Sequence, residues 1–193
     1  MSILPREFYH HPDVLFLSKQ LLGKYLITHF SGILTGGMIT ETEAYRGPED
    51  RASHAFQNRR TKRNEVMYHS GGIAYVYLVY GLHNLFNVVT NLPETPHAIL
   101  IRAIKPEIGI EEMLKRRNKT KLTKSLTSGP GTLTEALGIN LSHNGLSLDK
   151  DPIWIEDRGV VFNDKQIIIG PRVGIDYAGE DALLPWRFIL KDV

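Results

Sequence analysis

The run Thr40-Glu41-Thr42-Glu43-Ala44-Tyr45 places two carboxylates and a phenol at alternate positions. Side chains of an extended strand alternate between faces, so Glu41, Glu43 and Tyr45 share one face with Ile39. Carboxylates two residues apart on a strand have Cβ atoms roughly 6–7 Å apart. That spacing suits two acids acting on one glycosidic bond with inversion. It equally suits one catalytic carboxylate beside a structural one, or two glutamates on a half-solvated strand. A second stretch, Tyr75-Val-Tyr-Leu-Val-Tyr-Gly-Leu-His-Asn-Leu-Phe-Asn87, gathers three tyrosines within six residues. Tyr75, Tyr77 and Val79 fall on one strand face, Val76 and Leu78 on the other. Gly81 permits the positive φ of a tight turn, and Phe86, Val88 and Val89 resume strand character. The stretch is predicted to be a β-hairpin with Tyr80 at its tip. A ring at such a turn either packs back on the domain or presents a binding surface.

Other chemistries lack their residues. The chain has no cysteine, which removes disulfides, thiolate nucleophiles, Cys-ligated metal sites and the Pro-Cys-x-x-Cys of zinc deaminases. His10 and His11 are adjacent and would point apart on a strand. There is no His-Glu-x-x-His and no Gly-x-Ser-x-Gly. Ser128-Gly-Pro-Gly131 lacks the Gly-Lys-Ser/Thr of a phosphate loop. No metal and no cofactor are expected. Glu, Tyr, His, Arg and Asn remain, and together they suggest a pocket that stacks a planar ring and hydrolyses a bond beside it.

These residues need a scaffold, and the pattern supplies one. Pro12 and Asp13 read as a helix entry, Val14 to Leu22 as its apolar stripe and Gly23 as its exit. Lys24–Phe30 reads as a strand, Ser31-Gly32 as a turn, and Ile33–Tyr45 as a long strand bent at Gly36-Gly37. Residues 47–60 read as a loop and Thr61–Tyr68 as a short helix. His97–Ile104 is strongly β-like, with Ala98, Leu100 and Arg102 on one face. Ile108–Arg117 and Thr132–Leu137 read as helices, and Ile153–Glu156, Gln166–Ile169 and Trp186–Leu190 as short strands. The expected architecture is α+β: a single compact domain over 1–193 with a curved, mainly antiparallel sheet, peripheral helices and a protruding hairpin.

Of the 193 residues, 42% are hydrophobic and 23% charged, ordinary values for one globular domain. No apolar run approaches the ~18 residues of a membrane span, and the N-terminus lacks a signal-peptide pattern. A monomer in a reducing cytoplasm is expected, with no membrane contact. Net charge is only +2, but basic side chains concentrate in two blocks. One holds Arg51, Arg59, Arg60, Lys62 and Arg63 with no acid between; the other is Lys115–Lys124. Such blocks suit a polyanion, or else a solvated helix end and its loop.

Taken together, Glu41-Thr-Glu-Ala-Tyr-Arg-Gly-Pro-Glu-Asp50, Ala52-Ser-His54, Tyr75-Val-Tyr-Leu-Val-Tyr-Gly81 and Leu100-Ile-Arg-Ala103 resemble the alkyladenine (3-methyladenine) DNA glycosylase family. Ser128-Gly-Pro and Arg172-Val-Gly-Ile extend the resemblance over nearly the whole chain. It implies a mixed fold unrelated to the helix-hairpin-helix glycosylases, and a monofunctional base-excision enzyme acting on damaged purines in double-stranded DNA. By that resemblance Glu43 activates the attacking water and Arg102 helps hold it. Tyr45, His54 and Tyr77 enclose the flipped base, and Asn87 crowds the 2-amino group of guanine. Tyr80, with Leu82 beside it, fills the gap left in the duplex. Arg63 and Arg172 are expected on the DNA backbone. Leu82 stands where some relatives carry Met, and His83 where an aromatic can occur. The long N-terminal extension of some eukaryotic members has no counterpart, so a catalytic core is expected. No lysine falls at a motif position, which predicts no lyase step. Two other readings remain: a non-catalytic nucleic-acid binder using the same basic face and hairpin, and an O-glycoside hydrolase using Glu41 with Glu43.

Overall fold

The computed structural model describes residues 1–191. In chain order the elements are β1 (Ser2–Ile3), α1 (Val14–Gln20), β2 (Tyr25–Phe30), β3 (Ile33–Tyr45), β4 (Ala74–Val79), β5 (His83–Thr90) and β6 (His97–Ile108). Then follow α2 (Ile110–Arg116), α3 (Pro130–Leu137), β7 (Asp149–Lys150), β8 (Ile153–Asp157), β9 (Ile167–Gly170) and β10 (Arg187–Leu190). One sheet runs β1-β8-β2-β3-β6-β5-β4, and the named strand pairs are antiparallel. The expected α+β class, peripheral helices and protruding hairpin are all present. Among the described residues, no helix is long and apolar enough to cross a membrane.

Alternation gives this sheet two different faces. Ile99, Ile101, Phe86, Val88 and Val76 bury one face against Val14, Leu17 and Leu21 near α1 and Leu133, Ala136 and Leu137 of α3. Each such side chain contributes about 1.5–3 kcal/mol when fully removed from water. Tyr75 and Ala98 point the other way and pack with Ala55, Met67 and Tyr68 from the β3–β4 connection. The second face is therefore roofed by loops, with room left for polar side chains.

β3 is the hinge of the arrangement. One edge pairs with β2 over its first half and with β10 at Glu41–Glu43, while the other edge pairs with β6 from Gly36 to Tyr45. The β3–β6 ladder carries two offsets in close succession. Ile39 pairs with Ile104 and Glu41 with Ala103, leaving Thr40 as an extra residue. Thr42 then pairs with Ile101, leaving Arg102 as the extra residue of the opposite strand. Bulges of this kind re-aim side chains. Ile39 thus joins the apolar core, although it stands only two residues from Glu41 and was expected to share its face. The bend expected at Gly36-Gly37 is also an offset. A Cβ on Gly37 would lie 2.1 Å from the Lys105 carbonyl oxygen.

Other expectations shift at element ends. Asp13 is the N-cap of α1, accepting from Leu15 N and Phe16 N at 2.8 and 3.1 Å, so Pro12 precedes the helix. β6 continues through Ile108, and Gly109, at φ +66°, turns the chain into α2 two residues later than expected. The helix expected at Thr61–Tyr68 is only a 3-10 turn over Glu65–Tyr68. There the buried Asn64 side chain replaces a helical ladder. It donates to His54 O and Arg59 O and accepts from Thr61 N.

Candidate active site

Glu43 projects from β3 on the loop-roofed face and has no solvent exposure. Its Oε1 accepts from Val173 N at 2.8 Å and lies 3.3 Å from Arg102 Nη1. Its Oε2 accepts from the Tyr45 hydroxyl at 2.9 Å. Burial raises its proton affinity above the usual carboxylate range; Arg102 and the two hydrogen bonds oppose this, and Glu41 adds to it. Glu41, two residues back, shares only Arg102 with this cluster of donors. Its Oε1 accepts from both Arg102 Nε and Arg187 Nε, each at 2.7 Å. The carboxylates thus have unlike surroundings, and Glu41 is not free to serve as a second acid.

Tyr45, Arg102 and Val173 form part of the wall of a cavity of about 530 Å³, and Glu43 lies directly behind them. The same cavity is lined by His54, Tyr75, Tyr77 and Asn87. His54 and Tyr77 rings meet edge to face at 4.6 Å. His54 Nδ1 and the Tyr75 hydroxyl are 2.8 Å apart. Burial, then Arg63 and Arg59, lower the His54 pKa to about 4, so the ring is neutral at neutral pH. The neutral ring carries one N–H, and the Tyr75 hydroxyl can donate to Nδ1 or accept from it. Asn87 is buried and donates from Nδ2 to Tyr75 O at 3.1 Å.

The hairpin tip stands apart from this packing. Tyr80 is 91% and Leu82 76% exposed. Tyr80 and Gly81 take φ of +52° and +71°, and Leu82 N donates to Val79 O at 3.1 Å, closing a tight turn. A bulky residue at positive φ costs on the order of 1–3 kcal/mol, which no packing of the ring offsets here. The basic blocks also separate. Arg51, Arg59 and Arg63 line a second cavity that adjoins the first through Ser53, His54 and Tyr177. In the other block, Arg116 and Arg117 are paired with Glu112 and Glu135.

A family model described as methylpurine-DNA glycosylase matches residues 7–193. A Chlamydia felis protein named "Putative 3-methyladenine DNA glycosylase" is 49% identical over 190 residues, covering 98% of this chain and 96% of its own. A Bacillus cereus protein of the same name is 48% identical over 195 residues, covering 97% and 95%. The chain belongs to the methylpurine-DNA glycosylase family.

In this member of the methylpurine-DNA glycosylase family, Glu43, Tyr45, His54, Tyr77, Asn87 and Arg102 converge on one face of the sheet, with Tyr80 and Leu82 at the exposed tip. Arg63 sits at the cavity rim, donating to Leu78 O and lying 5.3 Å from the Tyr77 ring centre. Arg172 is a correction. Its side chain is wholly buried, bonded to Asp50 through both terminal nitrogens and to Ala44 O, and it lies between the Tyr45 and Trp186 rings. No phosphate can reach it. It instead braces Tyr45 and the backbone that delivers Val173 N–H. Val173 stands within Arg172-Val-Gly-Ile, but its contribution is a main-chain group that no side-chain motif marks, and Tyr177, an exposed ring tied to Ala52 O, lies outside the motifs. Arg187 lay in a strand that the pattern did identify, but its partner could not be read from spacing.

Proposed function

We propose that this methylpurine-DNA glycosylase family member is a hydrolase that flips alkylated purine nucleotides, such as 3-methyladenine and 7-methylguanine, out of duplex DNA and releases the base. The observation that carries this reading is Glu43: a fully buried carboxylate, held by three donors behind an aromatic cavity, beneath an exposed aromatic hairpin tip.

A base inside a duplex is shielded from attack at its sugar, and extruding it costs a few kcal/mol. Inserting the Tyr80 ring restores stacking worth about 1–3 kcal/mol. The extruded base enters between Tyr45 on one side and His54 and Tyr77 on the other. A cationic alkylated base gains roughly 0.5–2 kcal/mol from tyrosine faces. Glu43 has no exposure in the unbound protein, so water reaches it as the Tyr45 hydroxyl gives way when the base stacks on its ring. The water oxygen attacks C1′ and Glu43 takes the water's proton. The bond from C1′ to the base nitrogen breaks, and its electron pair neutralises the cationic ring. Neutral lesions such as hypoxanthine or ethenoadenine need a proton to leave, and His54, held neutral, does not supply it. Cationic bases match this site better. Among the described residues lining the cavity there is no lysine, so the reaction proposed ends at base release without a Schiff base.

The test is single-turnover release of 7-methylguanine from a duplex. Glu43→Gln is expected to lose about 10²–10⁴-fold in rate while still binding DNA. Wild-type rates in that variant, or binding without release by the unaltered protein, would overturn the reading.

A further inference from the structure

We propose that Glu41, braced by Arg187, is a positioning residue that limits the hold of Arg102 on Glu43 and thereby sets how readily Glu43 takes a proton from water. This rests on the reading of Glu43 as the water-activating base. A guanidinium facing a lone carboxylate closes a two-pronged fork on it. Arg102 does not close one on Glu43. Its Nε donates to Glu41 at 2.7 Å, and only Nη1 approaches Glu43, at 3.3 Å. Glu41 draws one edge of the guanidinium aside. Arg187 donates to the same Glu41 oxygen at 2.7 Å, from a β10 position whose strand partner is Glu43 itself. Glu41 and Arg102 are each 12% exposed and Arg187 27%, so water screens these three charges poorly.

A closed fork on Glu43 would stabilise its charge, weaken it as a base and occupy the oxygens that must meet water. The charged and titratable groups around Glu43 come from each neighbouring element. β3 supplies Glu41 and Tyr45, β6 Arg102, β10 Arg187 and β4 Tyr77. The segment after β9 supplies Tyr177, the Val173 N–H and, behind Tyr45, Arg172. Glu41 is the carboxylate in this set that opposes Arg102.

The experiment is single-turnover release of 7-methylguanine from a duplex across a pH series. This base is already cationic, so the acid limb of the profile reports Glu43. In Glu41→Gln the limb is expected to move to lower pH, because a like charge is lost and Arg102 is freed to fork onto Glu43. The plateau rate should fall about 10- to 100-fold through misplacement. In Arg187→Gln the limb is expected to move to higher pH, because a positive charge is lost and Arg102 is drawn toward Glu41. A merely structural role would not move the limbs in opposite directions. Unmoved limbs, or two shifts in one direction, overturn the proposal. Should Glu41→Gln not fold, Arg187→Gln decides alone: an upward shift supports, any other result overturns. Glu43→Gln run alongside separates the two readings. If it stays active, the base assignment fails; if it is inactive and the limbs stay put, only the role of Glu41 and Arg187 fails.

Discussion

At the scale of single residues, the central fact is that Glu43 is a carboxylate buried where charge is disfavoured. Burial raises its pKa in the fold, so the folded state binds its proton more tightly than the unfolded chain does. The linkage has one sign: the stabilising contribution of this group is complete below its unfolded pKa and is lost as pH rises through the folded value. Ionising this carboxylate in the fold therefore costs stability. Glu43→Gln is expected to gain on the order of 1 kcal/mol of stability at pH 7, read as a higher urea midpoint, with the gain vanishing at low pH. A variant less stable than the parent at pH 7 would contradict this. Glu43 and Tyr45 were legible because strand alternation alone puts them together. Arg172 was misread for an equally simple reason. An arginine motif looks the same whether its guanidinium meets solvent or Asp50, and only the fold distinguishes them. Val173 acts through its N–H and had no side-chain signature at all.

At the scale of elements, the hairpin holds local strain in plain view. Tyr80 occupies a left-handed conformation that Asn or Gly adopts more easily, and its ring has almost no contact to compensate. Tyr80→Asn is expected to keep the turn and stabilise the protein by about 0.5–1 kcal/mol, read as a higher thermal midpoint. Base release from duplex DNA should slow in the same variant, with a smaller loss where the lesion is already unpaired. Equal loss on both substrates would argue against a wedge. Strands and hairpin were readable because period-two patterning survives the local environment. The roofing segments were not. Over residues 46–68 the backbone is held by Asn64, Asp50 and 3-10 turns rather than by a repeating ladder, so no period marks it. Helix ends moved by a residue or two wherever a cap or a glycine decided them, as at Asp13 and Gly109.

At the scale of the molecule, one sheet divides the labour: α1 and α3 close the apolar face, and the loops leave a cavity on the other. Arginines not consumed by internal ion pairs border that cavity, while Arg116 and Arg117 are occupied by acids. The two offsets in the β3–β6 ladder bear on how chain length is constrained. They cancel: Ile39 pairs with Ile104 and Tyr45 with Ala98, the same interval on both strands. Arg102 is aimed at the glutamates without disturbing the register on either side. Length at this point is thus as restricted as composition, but in a paired way. Deleting Thr40 alone slides half of the ladder by one residue and turns its side chains to the wrong face. Deleting Thr40 and Arg102 together restores equal strands. The double deletion is expected to unfold cooperatively, nearer to the parent than the single deletion does, yet to release no base. A double deletion less stable than the single one would show that the offsets do not compensate. If they do, shortened relatives of this chain would lose residues here in pairs or not at all.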